Sequence, residues 1–197
     1  MDGVRWLAAG DHFELGYWVL FARGLESAEL IRRLEPVTPV PEAVTRWGVD
    51  AVEDEYDGVV MRAGVSAGWA FGIVEGGPVG RASNQAVEAL SAGTSAVELW
   101  RTVNADMGCA LAENGRTVCR FEPGREYERA GSEPDRLLPA LRRAGLVLPD
   151  GSTPFEHGHD VPDAMLRVLA VVEAEFSLDL PRRAVLEDAL TAAVLQV

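Results

Sequence analysis

Residues 94–122 read TSAVELWRTVNADMGCALAENGRTVCRFE. Three strand-like runs follow one another here, at 94–103, 108–113 and 116–122, and the connections between them are short. Asn104-Ala105-Asp106 makes the first connection and Asn114-Gly115 the second. Asn-Gly between two such runs is the strongest short-range signal of a two-residue hairpin, because both residues tolerate the positive φ of a type I′ turn. Strands joined this tightly run antiparallel, since a parallel neighbour needs a crossover of a dozen or more residues. This stretch therefore decides for an antiparallel sheet and against a doubly wound one.

The reading extends outward on both sides. Residues 17–23 (YWVLFAR) form an unbroken run of good strand formers, closed by Gly24. Residues 59–65 and 69–75 read as two more strands joined at Ser66-Ala67-Gly68. In the second of these, Trp69, Phe71 and Ile73 share one face, and Glu75 falls on that face at the strand's end. Between the strands, 27–34 reads as a short helix with Leu30, Ile31 and Leu34 on one side and Arg32-Arg33 in its last turn. Residues 42–57 are acidic and weakly patterned and read as a loop with at most one turn of helix. A helix runs from Ser83 to about Leu90, and Gly93 fits its C-terminal left-handed position. Beyond 122 the pattern turns helical. The spacing predicts helices over 132–144, from Pro162 to Phe176, and from Pro181 to Val194.

The expected fold is α+β: a mainly antiparallel sheet of about five to six strands packed against helices on one face, with C-terminal helices that either cover a sheet face or form a lobe beside it. One domain is expected over residues 1–197, with a sheet core at 16–122 and a helical part at 132–197. A chain of this length buries roughly 70% of its unfolded surface and needs no staple.

Several segments together resemble a known family. They are Trp6-Leu7, Phe21-Ala22-Arg23-Gly24-Leu25, Glu29-Leu30-Ile31-Arg32-Arg33-Leu34, Gly68-Trp69, Leu90-Ser91-Ala92-Gly93-Thr94-Ser95-Ala96-Val97, Phe121-Glu122-Pro123 and Gly131-Ser132-Glu133-Pro134-Asp135-Arg136-Leu137. The set resembles an uncharacterised family of small actinobacterial cytoplasmic proteins, known only as a domain of unknown function. The resemblance is sparse over residues 5–190. It implies an actinobacterial cytoplasmic source and brings no activity and no catalytic residue.

Composition excludes more than it selects. The 18 cations are all Arg, the carboxylates number 31, and the net charge is −13. Nucleic-acid binding draws on a cationic excess that is absent here, and anionic membrane surfaces would repel the chain. No apolar run approaches the about 18 residues of a membrane span, and 1–20 does not pattern as a signal peptide. With only Cys109 and Cys119, the chain fits a reducing cytoplasm.

The candidate chemistry is thin. If Asn114-Gly115 makes a regular hairpin, Cys109 faces Arg120 and Cys119 faces Ala110, so the two thiols point to opposite faces as small buried hydrophobes. His157-Gly158-His159-Asp160, with His12 remote, is the only metal-like cluster, and it reads as surface residues or a helix cap rather than a metal site. No cofactor is expected. The segment 76–80 lacks the Lys and the glycine spacing of a phosphate loop. Arg23 and Glu75 both end apolar strands before a glycine, and both lie on the predicted core face. With Arg101 and Asn104 they are candidates to rim a pocket. Trp18, Trp69 and Trp100 lie in strands and are expected in the core. Trp6 and Trp47 lie in irregular segments and are candidate interface anchors.

The functional expectation is an acidic protein-binding module without catalytic activity, of immunity, antitoxin or regulatory type. Its partner would be another protein or a second copy of itself. The alternative is a small-molecule enzyme or ligand-binding protein with a pocket rimmed by Arg23, Glu75 and Arg101. A flat surface with an exposed Trp6 or Trp47 beside Asp/Glu favours the first reading, and a deep pocket holding convergent polar side chains favours the second.

Overall fold

The computed structural model describes residues 1–9, 12–36, 38–39, 42–56, 58–76, 83–155 and 161–195. In chain order the elements are β1 (Gly16–Arg23), α1 (Ser27–Arg33), β2 (Thr38–Pro39), α2 (Val49–Tyr56), β3 (Val59–Ser66), β4 (Trp69–Glu75) and α3 (Ser83–Leu90). They continue with β5 (Ser95–Thr102), β6 (Met107–Glu113), β7 (Arg116–Phe121), α4 (Leu138–Arg143), α5 (Val161–Phe176), α6 (Arg182–Leu186) and β8 (Thr191–Leu195). Short 3-10 turns occupy Arg5–Ala9, Arg46–Gly48 and Glu126–Glu128. The strands form one sheet of order β2-β8-β3-β4-β1-β5-β6-β7, antiparallel at every pairing. The fold class is α+β, as the sequence predicts.

Alternation along the strands makes two cores. Tyr17, Val19, Phe21, Trp69, Phe71, Ile73, Val97 and Leu99 face Leu141, Val168, Leu169 and Val172 of α4 and α5. Leu20, Ala22, Met61, Ala70, Val74 and Ala96 face Leu30 and Ile31 of α1 and Val87 and Leu90 of α3. The sheet is thus covered on both faces, not on one as expected. The reason is in β1 and β4: both are buried along almost their whole length, which a half-solvated sheet does not allow. At Gly72 a Cβ would meet the Met61 sulfur at 2.6 Å and a Leu30 methyl at 3.0 Å, so the missing side chain lets α1 lie close on the sheet.

Four further expectations are corrected. Residues 49–56, read as loop, form α2; Val49 and Val52 are enough to seat it on Val44, Val60 and Val194. The helix expected over 132–144 begins only at Leu138, beside Pro139, which lacks an amide hydrogen and restricts its neighbour. The last helix ends at Leu186, and 191–195 form β8 between β2 and β3. A short apolar run such as TAAVL is ambiguous between helix and strand, and here the open edge of β3 decides it. The sheet therefore has eight strands rather than five to six, gaining β2 inside 16–122 and β8 outside it.

The fourth correction concerns the β6–β7 hairpin. Asn114 (φ 51°) and Gly115 (φ 79°) make the predicted turn, and Glu113 opposes Arg116. One residue is then inserted: Ala112 opposes Thr117 but Leu111 opposes Cys119. A β-bulge of this kind shifts every later side chain to the other face. Cys119 therefore joins Cys109 on the α4–α5 face, and both are buried and unbridged. Burial pushes the Cys109 thiol above its ordinary range.

Candidate functional site

The register separates two residues that the sequence pattern puts together. Tyr17 lies opposite Glu75 and Arg23 opposite Trp69, so Glu75 and Arg23 sit at opposite ends of β1 and β4. At about 3.3 Å per residue they are on the order of 20 Å apart. Arg23 is exposed, and its carbonyl accepts a 2.8 Å hydrogen bond from the Thr94 hydroxyl. Arg101 lies opposite Tyr17 from the other side, so Glu75, Tyr17 and Arg101 form a row across three strands on one face. Asn104 is exposed in the turn that follows.

Glu75 has both oxygens engaged. Arg62 Nη2 donates to Oε1 at 2.6 Å, and Arg46 Nε donates to Oε2 at 2.6 Å. Arg62 projects from β3 between an apolar Met61 and Ala63 and is 1% exposed; its Nη1 donates to the Val185 carbonyl of α6 at 2.9 Å. Burial pushes the Arg62 guanidinium below its usual range, and Glu75 offsets part of that. Arg46 also donates to the His12 carbonyl, and its guanidinium stacks at 5.3 Å from the centre of the Phe13 ring and 5.5 Å from that of Trp47. The His12 ring nitrogen Nε2 is 2.8 Å from Arg182 Nη2. Arg101 Nη1 reaches the Phe13 carbonyl at 3.4 Å. The segment 12–16, the turn at 46–48 and α6 are thereby tied over the Glu75 end of the sheet.

A cleft of about 710 Å³ opens above this network, between residues 12–16, 46–53, 75–76 and 186–187. Trp47, 82% exposed, forms one lip, and Leu15, 70% exposed, also lines the cleft. Glu14, Asp50, Glu53 and Glu187 line it along with Glu75. Asp50 follows Trp47 by three residues, and Glu53 follows Asp50 by three, so Asp50 is one turn from each, and all three line the cleft. Glu53 Oε1 accepts from the Val60 amide at 3.0 Å. Glu187 lies 3.5 Å from Arg183, both exposed. A smaller cavity of about 320 Å³ lies elsewhere, along β5, β6 and β7 beside Trp100 and Arg120.

The other tryptophans have structural partners. Trp69 is buried and donates to the Phe176 carbonyl at 3.2 Å. Trp18 donates to Glu98 at 2.5 Å, and Trp100 lies over Gly108, where a Cβ would meet its ring at 2.3 Å. Trp6, expected as an anchor, is half-buried against Phe13 and donates to the Leu180 carbonyl at 2.9 Å. Of the residues singled out in the sequence, Glu75 and Trp47 meet at the cleft, Arg101 lies in the adjoining row, and Arg23 and Trp6 stand apart. Sequence reasoning missed Arg46, Arg62 and Leu15. Arg62 carries a readable signal: a lone charge inside the apolar run VVMRAGV requires a buried counter-charge.

His157, His159 and Asp160 lie outside the described residues. Among the described residues no three His, Cys, Asp or Glu side chains group as metal ligands, and no helix is long and apolar enough to cross a membrane. The chain belongs to a family of unknown function, DUF6461, which matches residues 4–174. No curated protein and no solved structure matches it.

Proposed function

We propose that this protein is an acidic, non-catalytic protein-binding module and that the cleft at Trp47 is its docking site. The observation that supports this reading is Trp47 itself. The residue is 82% exposed at the lip of a cleft, with the Arg46 guanidinium over its ring, while the other four tryptophans are packed or hydrogen-bonded within the fold. An exposed indole leaves a large apolar area in water, and tryptophan is among the residues that most often carry binding energy once an interface covers them. The acidic lining and the net charge of −13 would speed encounter with a basic partner. A role of immunity, antitoxin or regulatory type, in the cytoplasm of an actinobacterium, belongs to this reading. The two free, buried cysteines suit such a reducing compartment.

The alternative, a small-molecule pocket rimmed by Arg23, Glu75 and Arg101, has weaker support. Arg23 is at the far end of the strands, and both Glu75 oxygens already accept from guanidinium groups.

Affinity capture from a lysate of the source cells tests the proposal, with Trp47→Ala and Trp6→Ala as separate baits. The expected result is one stoichiometric protein, released by salt, retained by Trp6→Ala and lost by Trp47→Ala. The same proteins on the wild type and Trp47→Ala, or only a small molecule released on denaturing the bait, would sink it.

A further inference from the structure

We infer that what this cleft recognises is a basic segment of a protein partner, with an arginine or lysine side chain seated between Trp47 and the carboxylates of Asp50 and Glu53. The inference rests on the docking reading and names its ligand chemistry. Charge carries it first. Glu75 is matched by Arg46 and Arg62, and Glu187 by the exposed Arg183. Glu14, Asp50 and Glu53 line the same cleft without an arginine partner among the described residues. Arg46, which also lines the cleft, is held by Glu75, by the His12 carbonyl and by the Phe13 ring.

Trp47 supplies the second argument. Arg46 already lies over its ring, and most of the indole is still open to solvent. Arginine and lysine need a carboxylate for the head and apolar surface for the stem, and Leu15 and Trp47 provide that surface beside Asp50 and Glu53. A cleft of about 710 Å³ has room for a basic side chain together with its neighbours. A second copy of this chain fits poorly, since each copy carries −13.

The probe is a nine-residue peptide of alternating arginine and leucine, with a citrulline-for-arginine version that keeps the shape and removes the charge. Binding is measured by calorimetry for the wild type, Trp47→Ala, Asp50→Asn/Glu53→Gln, and Glu133→Gln as an exposed acidic control away from the cleft. Glu53→Gln keeps the acceptor for the Val60 amide, and circular dichroism verifies that every variant is folded. The arginine peptide should bind and weaken with added salt. The citrulline peptide, Trp47→Ala and Asp50→Asn/Glu53→Gln should each cost about tenfold or more, and Glu133→Gln should change nothing. Equal binding by the citrulline peptide, or by the cleft variants, would overturn the inference as non-specific attraction. Tighter binding of spermidine than of the peptide would overturn it in favour of a small cation. A dimer lost in Trp47→Ala would overturn it in favour of a second copy. If no peptide binds while Trp47→Ala still loses its captured partner, the basic segment is wrong and the docking reading stands.

Discussion

The two ends of β1 and β4 start from the same local pattern and finish in opposite environments. Each end has an apolar strand, a charged residue on the core face and a glycine. At one end Arg23 is solvated and contributes only its carbonyl to a hydrogen bond. At the other, Glu75 is clamped by two guanidinium groups, one of them 1% exposed. The strands do not make this difference. It comes from what crosses over them: residues 12–16, the turn at 46–48 and α6 all converge on the Glu75 end. What matters is which distant segments bring a counter-charge: Phe176 and Asp179 also pack at the Trp69 end, but neither pairs with Arg23.

The comparison breaks most severely at Arg62. Arg62→Met removes the buried cation and leaves Glu75 with one partner and the Val185 carbonyl with none. The expected loss is about 3–5 kcal/mol of unfolding free energy, read as a fall in the urea midpoint. The double variant Arg62→Met/Glu75→Gln should be more stable than Arg62→Met, because the carboxylate oxygen left without its partner is replaced by a neutral amide. A double variant as unstable as the single, or more so, would show that shape and not charge pairing holds this end together.

Arg46 is the next test. Its guanidinium is about one-fifth exposed, and it shares Glu75 with Arg62. Arg46→Ala should cost about 1–2 kcal/mol, from one ion pair and the stacking on Phe13, with Arg62 still in place. It should also free the segment 12–16, visible as faster amide hydrogen exchange there. Trp47→Ala should cost less than about 0.5 kcal/mol, since the ring is largely in solvent, and should act on binding alone.

The same contrast explains what could be read from the sequence. The hairpin turn at Asn114-Gly115, the six strands between 16 and 122 that the pattern marks, and the placement of Glu75 on the Trp69 face follow from local rules, and the structure has them. The β6–β7 bulge inserts a residue with no punctuating glycine or proline, so Cys119 lands on the face opposite to the expected one. The strand 191–195 carries no mark distinguishing it from a helix end; its partner β3 lies more than a hundred residues upstream. At the site, the same rule, a tryptophan outside a strand, singles out Trp47 and Trp6 alike; Trp47 lines the cleft, whereas Trp6 packs against Phe13 and donates to the Leu180 carbonyl. Arg46 and Glu75 are 29 residues apart, and nothing local joins them.

Arg23 closes the series with the smallest expected effect. It shares the core face of Val19 and Phe21 by alternation, yet its side chain ends in water. Arg23→Ala should change stability by no more than about 0.5 kcal/mol, the usual range for a surface substitution that touches no cap, cavity or buried pair. The hydrogen bond from Thr94 goes to the main-chain carbonyl and survives the change. The urea midpoint, measured beside that of Arg62→Met, sets the two strand ends on one scale. A loss above about 1 kcal/mol would mean that the Arg23 end also holds its charge in a structural contact. The contrast between the ends would then be one of degree, and the converging segments would lose their role as its cause.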